Sequence, residues 1–208
     1  RRVEKRHRHK KQTGGAGQFA EVNLVVSPLA RGEGFRFREE VKGGVVPRNY
    51  IPAVAAGAED ACRKGPLGFP VVDLEVLLND GKAHAVDSSD LAFRIAAAAC
   101  VREALKEAKP VLLHPVAAVA IHTPAQWSGG LLALVSGLKG QVLGYDPNPE
   151  APGWDIFRAL LPEPSLDDLR LQLGGLTQGV AWLEAAFDHY EETTGREAEK
   201  ALAAAAAG

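Results

Sequence analysis

Gly15-Ala16-Gly17-Gln18-Phe19-Ala20 spells G-x-G-x-x-A, the pattern of a dinucleotide-binding turn. That chemistry needs a strand before the turn and a helix after it, whose first N–H groups hold the pyrophosphate. Here the alternation of Val22, Leu24 and Val26 places a strand after the glycines, so nucleotide binding is not expected there. His7-x-His9 could offer two metal ligands from one strand face, but no Cys or third His stands at ligand spacing and cations flank the pair. No G-x-x-x-x-G-K-[ST] phosphate loop exists, so this chain alone is not expected to hydrolyse GTP or ATP. His84, Asp87 and Asp90 could move protons, yet no nucleophile elbow accompanies them, and Asp90 reads better as first-turn helix charge. Cys62 and Cys100 fall in predicted helices and read as buried thiols. No metal, cofactor or catalytic residue is assigned.

The basic residues are more suggestive. Arg1, Arg2, Lys5, Arg6, Arg8, Lys10 and Lys11 crowd the first eleven positions with only Glu4 opposing them. On an extended strand Arg6, Arg8 and Lys10 share one face and His7, His9 and Lys11 the other. Two readings stand open: an RNA-facing stripe, and an ordinary solvated chain end. The formal charge of −2 hides an asymmetry, because residues 1–115 hold 19 Lys/Arg against 14 Asp/Glu and residues 116–208 hold 5 against 12. A basic half that meets a polyanion is one explanation of that split; scattered surface charge is the other. His84 stands on a short arm after a turn signal, near the glycine-rich loop, where contact with RNA is a physical option.

The elements that must position these groups follow from periodicity. Phe19–Val26 reads as a strand, and Gly34–Val41 as its antiparallel partner. Asn49 is a candidate cap for a helix over 50–64 that Gly65-Pro66 stops. Phe69–Leu78 reads as a strand, Asn79-Asp80-Gly81 as a hairpin turn, and Lys82–Val86 as the return strand. Ser88 and Ser89 offer a cap for a helix to Lys109, with Leu91, Ile95, Ala98, Val101 and Leu105 on one face. Pro110 and Pro115 mark a junction. Beyond it, strands at 116–122, 141–145, 154–161 and 180–187, with helices at 124–138 and 165–173 (capped by Ser165), spell βαββαβ. Residues 196–208 are alanine-rich and read as a terminal helix or tail.

At 208 residues and 22.0 kDa, with 46% hydrophobic residues, the chain has room for two modest domains. It has no run of 18 apolar residues, no secretory leader, and only two cysteines, which fits a soluble protein of a reducing cytosol. It also has no methionine, even at position 1, and so reads as a piece of something longer.

Several segments resemble one family in order along the chain. Lys10–Phe19 resembles the glycine-rich first loop of domain IV of bacterial elongation factor G, and Gly43-Gly44-Val45-Val46-Pro47-Arg48-Asn49-Tyr50-Ile51-Pro52-Ala53-Val54 the segment entering that domain's helix. Gly68–Asp73 is similar to the next strand, His84–Phe93 to the loop and helix start, and Lys109–Pro115 to the bridge into domain V. Thr177-Gln178-Gly179 and Phe187–Glu192 are similar to the end of domain V; residues 123–175 match loosely, chiefly at Ser136–Gln141.

The resemblance implies an α+β protein. Residues 1–115 would form a ribosomal protein S5 domain 2-like module with a left-handed βαβ crossover, and residues 116–208 a ferredoxin-like βαββαβ domain. It implies a tip, made of Gly14, Gly15, Ala16, Gly17, Gln18, Lys82, His84, Asp87 and Ser88, that enters the decoding centre as tRNA and mRNA move. Arg6, Arg8, Lys10 and Lys11 would face RNA. Implied partners are both ribosomal subunits, ribosomal RNA and tRNA, for a cytoplasmic monomer with no membrane role. The GTPase domain, with its GTP and magnesium, would lie upstream, so this part is not itself an enzyme. The family's first loop usually carries arginine where Ala16 stands here. That departure admits an elongation factor G-like paralogue with a regulatory or ribosome-recycling role.

Overall fold

In the computed structural model, residues 1–12, 15 and 17–207 are described. The chain forms two compact units, one of Arg1–Leu112 together with the residues from Thr194 onward, the other Leu113–Thr193.

The first unit is a four-stranded sheet in the order β1-β2-β4-β3, with β1 at Val3–Lys11, β2 at Gln18–Pro28, β3 at Phe35–Glu39 and β4 at Leu74–Lys82. Its two helices are α1 (Ile51–Cys62) and α2 (Asp90–Ala108). Ala20, Val22, Leu24 and Val26 of β2 are fully buried, with Val76 and Leu78 of β4, Val54 and Ala58 of α1, and Phe93, Val101 and Leu105 of α2. The strand alternation of β2 is therefore the core of this unit, as its sequence predicts.

The pairing departs from the sequence reading in three places. β3 is not the antiparallel partner of β2; it lies parallel to β4, Phe35 opposite Leu74 through Glu39 opposite Leu78. The Phe/Arg alternation sets which face β3 buries but says nothing about its neighbour, and the α1 connection returns the chain for a parallel pairing. Phe69–Val72 is a loop, because the strand begins only after Asp73, which has φ 58° and accepts the Gly32 and Gly34 amides at 3.0 Å each. Asn79-Asp80-Gly81 is not a hairpin turn, and there is no return strand over 82–86: β4 runs through it opposite β2, with a bulge beside Asn23/Leu24. Gly81 serves close packing instead. A Cβ there would stand 2.4 Å from the Glu21 carbonyl oxygen and 2.5 Å from Val46 Cγ2.

Helix α2 starts where expected, with Ser89 Oγ accepting the Ala92 amide at 3.1 Å. Ala98, Val101 and Leu105 of its expected face are buried, but Leu91 and Ile95 are exposed, and Ala92, Ala96, Ala97, Cys100 and Ala104 go inside. Small residues win because α1 crosses in backbone contact; a Cβ on Gly57 would lie 2.2 Å from the Arg94 carbonyl oxygen. Asn49 does not cap α1, which is entered through a 3-10 turn at Arg48–Tyr50 and has no side-chain cap bond.

The second unit has β5 (Leu113–Pro124), α3 (Ser128–Gly137), β6 (Gln141–Pro147), β7 (Trp154–Pro162), α4 (Leu166–Leu176) and β8 (Trp182–Glu192). This is the expected βαββαβ, with all-antiparallel order β6-β7-β5-β8. Val119, Ile121, Phe157 and Leu161 of the sheet are buried with Leu131 and Val135 of α3 and Leu169 of α4. Ser165 stands at the start of α4 but makes no cap bond with its side chain. A last helix, α5 (Gly195–Ala207), follows. Among the described residues no helix is long and apolar enough to cross a membrane.

Candidate nucleic-acid interface

The two loops singled out from sequence meet at one end of the first sheet. The Phe19 amide donates to the Asp87 carbonyl at 2.8 Å, and Ser88 Oγ donates back to the Phe19 carbonyl at 2.7 Å. Ser88 Oγ also accepts the His84 amide at 2.8 Å, while the Ser88 amide donates to the His84 carbonyl at 3.2 Å. A Cβ on Gly17 would come within 2.6 Å of Asp87 Oδ1, so a side chain at 17 would displace that carboxylate. The His84 ring stands tilted beside Phe19, centroids 6.0 Å apart. Its Nδ1 faces inward, 3.3 Å from the Asp87 amide and 3.3 Å from the Asp87 carboxylate, and the side chain is 54% exposed.

Gln18 is held by His9, Nε2 to Oε1 at 2.8 Å, and Lys82 ends β4 as an exposed cation. Gly15 is exposed; the Gly14 and Ala16 positions lie outside the described residues. The structure thus brings Gly17, Gln18, His84, Asp87 and Ser88 together.

The basic strand has the two-faced arrangement its spacing predicts. Lys5 pairs with Glu107 and His7 with Glu103 (3.0 Å), both on α2, so this face is turned to the helix. His7 and His9 therefore have separate partners, and among the described residues no group of three His, Cys, Asp or Glu could hold a metal ion. On the opposite face Arg6 pairs with Glu21 (2.9 Å) and Asp80, and Arg8 with Glu21 (2.5 Å). Glu21 is 4% exposed beneath them, and the Arg8 hydrogen bond chiefly holds its carboxyl below the usual range. Beside them Glu4 accepts Asn23 Nδ2 at 2.6 Å and Asn79 Nδ2 at 3.2 Å. Lys10, Lys11 and Lys82 have no ion-pair partner among the described residues.

Sequence reasoning missed this acidic lining. The signal was present, since Glu21 sits on the outward phase of a strand whose inward phase is all apolar. It also missed Tyr50, whose hydroxyl donates to the Ser88 carbonyl at 3.1 Å while its ring stacks on Phe93, centroids 4.9 Å apart. Burial pushes the Cys62 thiol to about 11 and Cys100 to about 12, so both are protonated core groups. In the second unit His122 stacks on Trp182 at 3.7 Å, and His189 sits between Asp188 and Glu191 (2.6 and 2.8 Å).

Comparison with known proteins places these loops in a family. Residues 1–109 match the model of elongation factor G, domain IV, and residues 111–201 that of the elongation factor G C-terminus. An elongation factor G-like protein of Synechocystis sp. is 44% identical over 185 residues, which is 89% of this chain and 28% of that protein. Elongation factor G of Dinoroseobacter shibae is 44% identical over 190 residues, covering 91% of this chain and 26% of that protein. An elongation factor G-like protein of Thermotoga maritima is 39% identical, covering 89% of this chain and 27% of that protein. A crystal structure from Thermus thermophilus superposes with a TM-score of 0.91 at 32% identity, over all of this chain and 31% of that one. The chain spans about a quarter of the curated relatives it matches. With both models matching in order across nearly its whole length, the chain belongs to the elongation factor G family, over that family's domain IV and C-terminal region.

Proposed function

We propose that this chain is the tip-bearing C-terminal part of a GTP-dependent ribosomal translocase, acting by shape and electrostatics in the cytoplasm. The observation that carries the reading is the hydrogen-bonded junction of Phe19 with Asp87 and Ser88, which brings together two segments that each resemble the family's decoding-centre loops. A half-exposed imidazole, exposed Lys10, Lys11 and Lys82, and a glycine-rich approach suit RNA, whose phosphates and unstacked bases accept hydrogen bonds and stacking. The tip would fill the space vacated by tRNA and mRNA on the small subunit, with the second unit engaging the large subunit. No bond to substrate is made or broken by these residues; GTP hydrolysis belongs to an upstream domain.

The test is His84→Ala in the full-length factor. Single-round tRNA–mRNA movement should slow about tenfold or more, while ribosome-stimulated GTP hydrolysis persists. Unchanged movement would remove His84 from the tip.

A second reading is an elongation factor G-like paralogue that regulates or recycles ribosomes. It is favoured by Ala16, which removes a cation the family usually presents, and by the similarity to two proteins named elongation factor G-like. Polypeptide synthesis with the full-length factor as sole translocase separates the two: sustained synthesis supports the first, failure with intact ribosome binding the second.

A further inference from the structure

We propose that Ser88 is a positioning residue: its single hydroxyl ties the 82–88 loop to the start of β2 and sets the orientation in which His84 meets RNA. The inference rests on the tip reading above for its consequence, but not for its geometry.

A serine hydroxyl has one proton and two lone pairs. Here the proton goes to the carbonyl of Phe19, the second residue of β2, at 2.7 Å, and a lone pair takes the His84 amide at 2.8 Å. Phe19 and His84 are 65 residues apart in sequence, yet one oxygen atom lies between their main chains. Ser88 is itself anchored from three directions. Its amide donates to the His84 carbonyl, its carbonyl accepts the Tyr50 hydroxyl at 3.1 Å, and Ser89 caps α2 immediately afterwards. Tyr50 in turn stacks on the fully buried Phe93. A chain of contacts therefore runs from the core through Tyr50 and Ser88 to His84. Held this way, the imidazole keeps Nδ1 against the Val86 and Asp87 amides, at 3.4 and 3.3 Å, and the Asp87 carboxylate. Nε2 has no partner among the described residues and is the nitrogen left for an outside acceptor.

Neither Ser88→Ala nor Ser88→Thr changes charge, and only the second keeps the hydroxyl. In the 208-residue chain, Ser88→Ala should raise hydrogen exchange of the His84 amide about tenfold, and Ser88→Thr should restore protection. Binding of the same chain to purified bacterial small ribosomal subunits supplies the second arm. Ser88→Ala should weaken binding, Ser88→Thr should not, and Ser88→Ala should add nothing in a His84→Ala background. A purely structural serine would weaken binding by the same factor whether or not His84 is present, and that result overturns the proposal, as does wild-type exchange at His84 in Ser88→Ala. If exchange responds as expected but neither Ser88→Ala nor His84→Ala alters binding, the positioning stands and the tip reading is what fails.

Discussion

Arg6 and Arg8 stand in the middle of β1 and Lys10 and Lys11 at its end, four cations within six residues that meet different electrostatic surroundings. The arginines reach across to the buried Glu21 and to Asp80, Arg6 through both terminal nitrogens and Arg8 through its Nε. The lysines have no such partner among the described residues, and the same holds for Lys82 across the tip. A cation already paired with a carboxylate releases little counterion on meeting a phosphate, whereas an uncommitted one releases its share. Counting basic residues along the strand therefore overstates the part available to RNA. One strand thus holds the sheet together at its middle and presents charge at its end.

The largest expected effect comes from breaking the paired side. Glu21→Ala leaves two guanidinium groups without their shared acceptor and should lower unfolding stability by about 2 kcal/mol, read from denaturant midpoints. The carboxyl is held low in the folded state, chiefly by Arg8. Its contribution is therefore present above the unfolded carboxylate pKa and is lost as pH falls through the lower folded value. The wild type should lose stability on acidification more steeply than Glu21→Gln. Equal acid profiles would mean that the pairing carries little.

A smaller effect should separate the two groups of cations. Small-subunit binding by Lys10→Ala/Lys11→Ala should show a salt slope shallower by roughly 1 to 2 units, since each phosphate contact contributes about 0.7–0.9. Arg6→Gln/Arg8→Gln should leave the slope nearly intact and lower thermal stability instead. The reverse pattern would collapse the distinction.

The smallest effect lies in the second unit, where a paired cation recurs in acidic surroundings. Glu191 first, then Asp188, raise the His189 pKa above that of a free imidazole. The stabilisation is thus complete below the unfolded histidine pKa and disappears as pH rises through the folded value. Ring-proton NMR should show His189 titrating at higher pH than in Asp188→Asn/Glu191→Gln; coincident curves would remove the pairing.

Much of the scaffold was legible because it is locally encoded. Val22, Leu24 and Val26 announce a strand buried on one face, Ser89 announces a helix start, and βαββαβ spacing announces the second unit's order. Where local chemistry misled, a distant neighbour had overridden it. Asn79-Asp80-Gly81 has hairpin composition, but β2 lies opposite and Gly81 is needed for close approach to Glu21 and Val46. Leu91 and Ile95 have helical spacing, but both stay exposed where α1 crosses with Gly57 against the Arg94 backbone. Of the candidate site, Gln18, His84, Asp87 and Ser88 could be named from their motifs, while the hydrogen bond by which Tyr50 holds Ser88 could not, because it joins residues 38 apart.

Residue order alone was enough to set most of the elements, the alternating face of β2, the family and the loops worth watching, because periodicity and motif spacing are short-range properties. Pairing across the sheet, the parallel β3–β4 contact and the neutralisation of Arg6 belong to the folded chain. Arg6 meets Glu21 across 15 residues and Asp80 across 74. No local pattern encodes distances closed over such separations; only burial of the shared core brings those groups together.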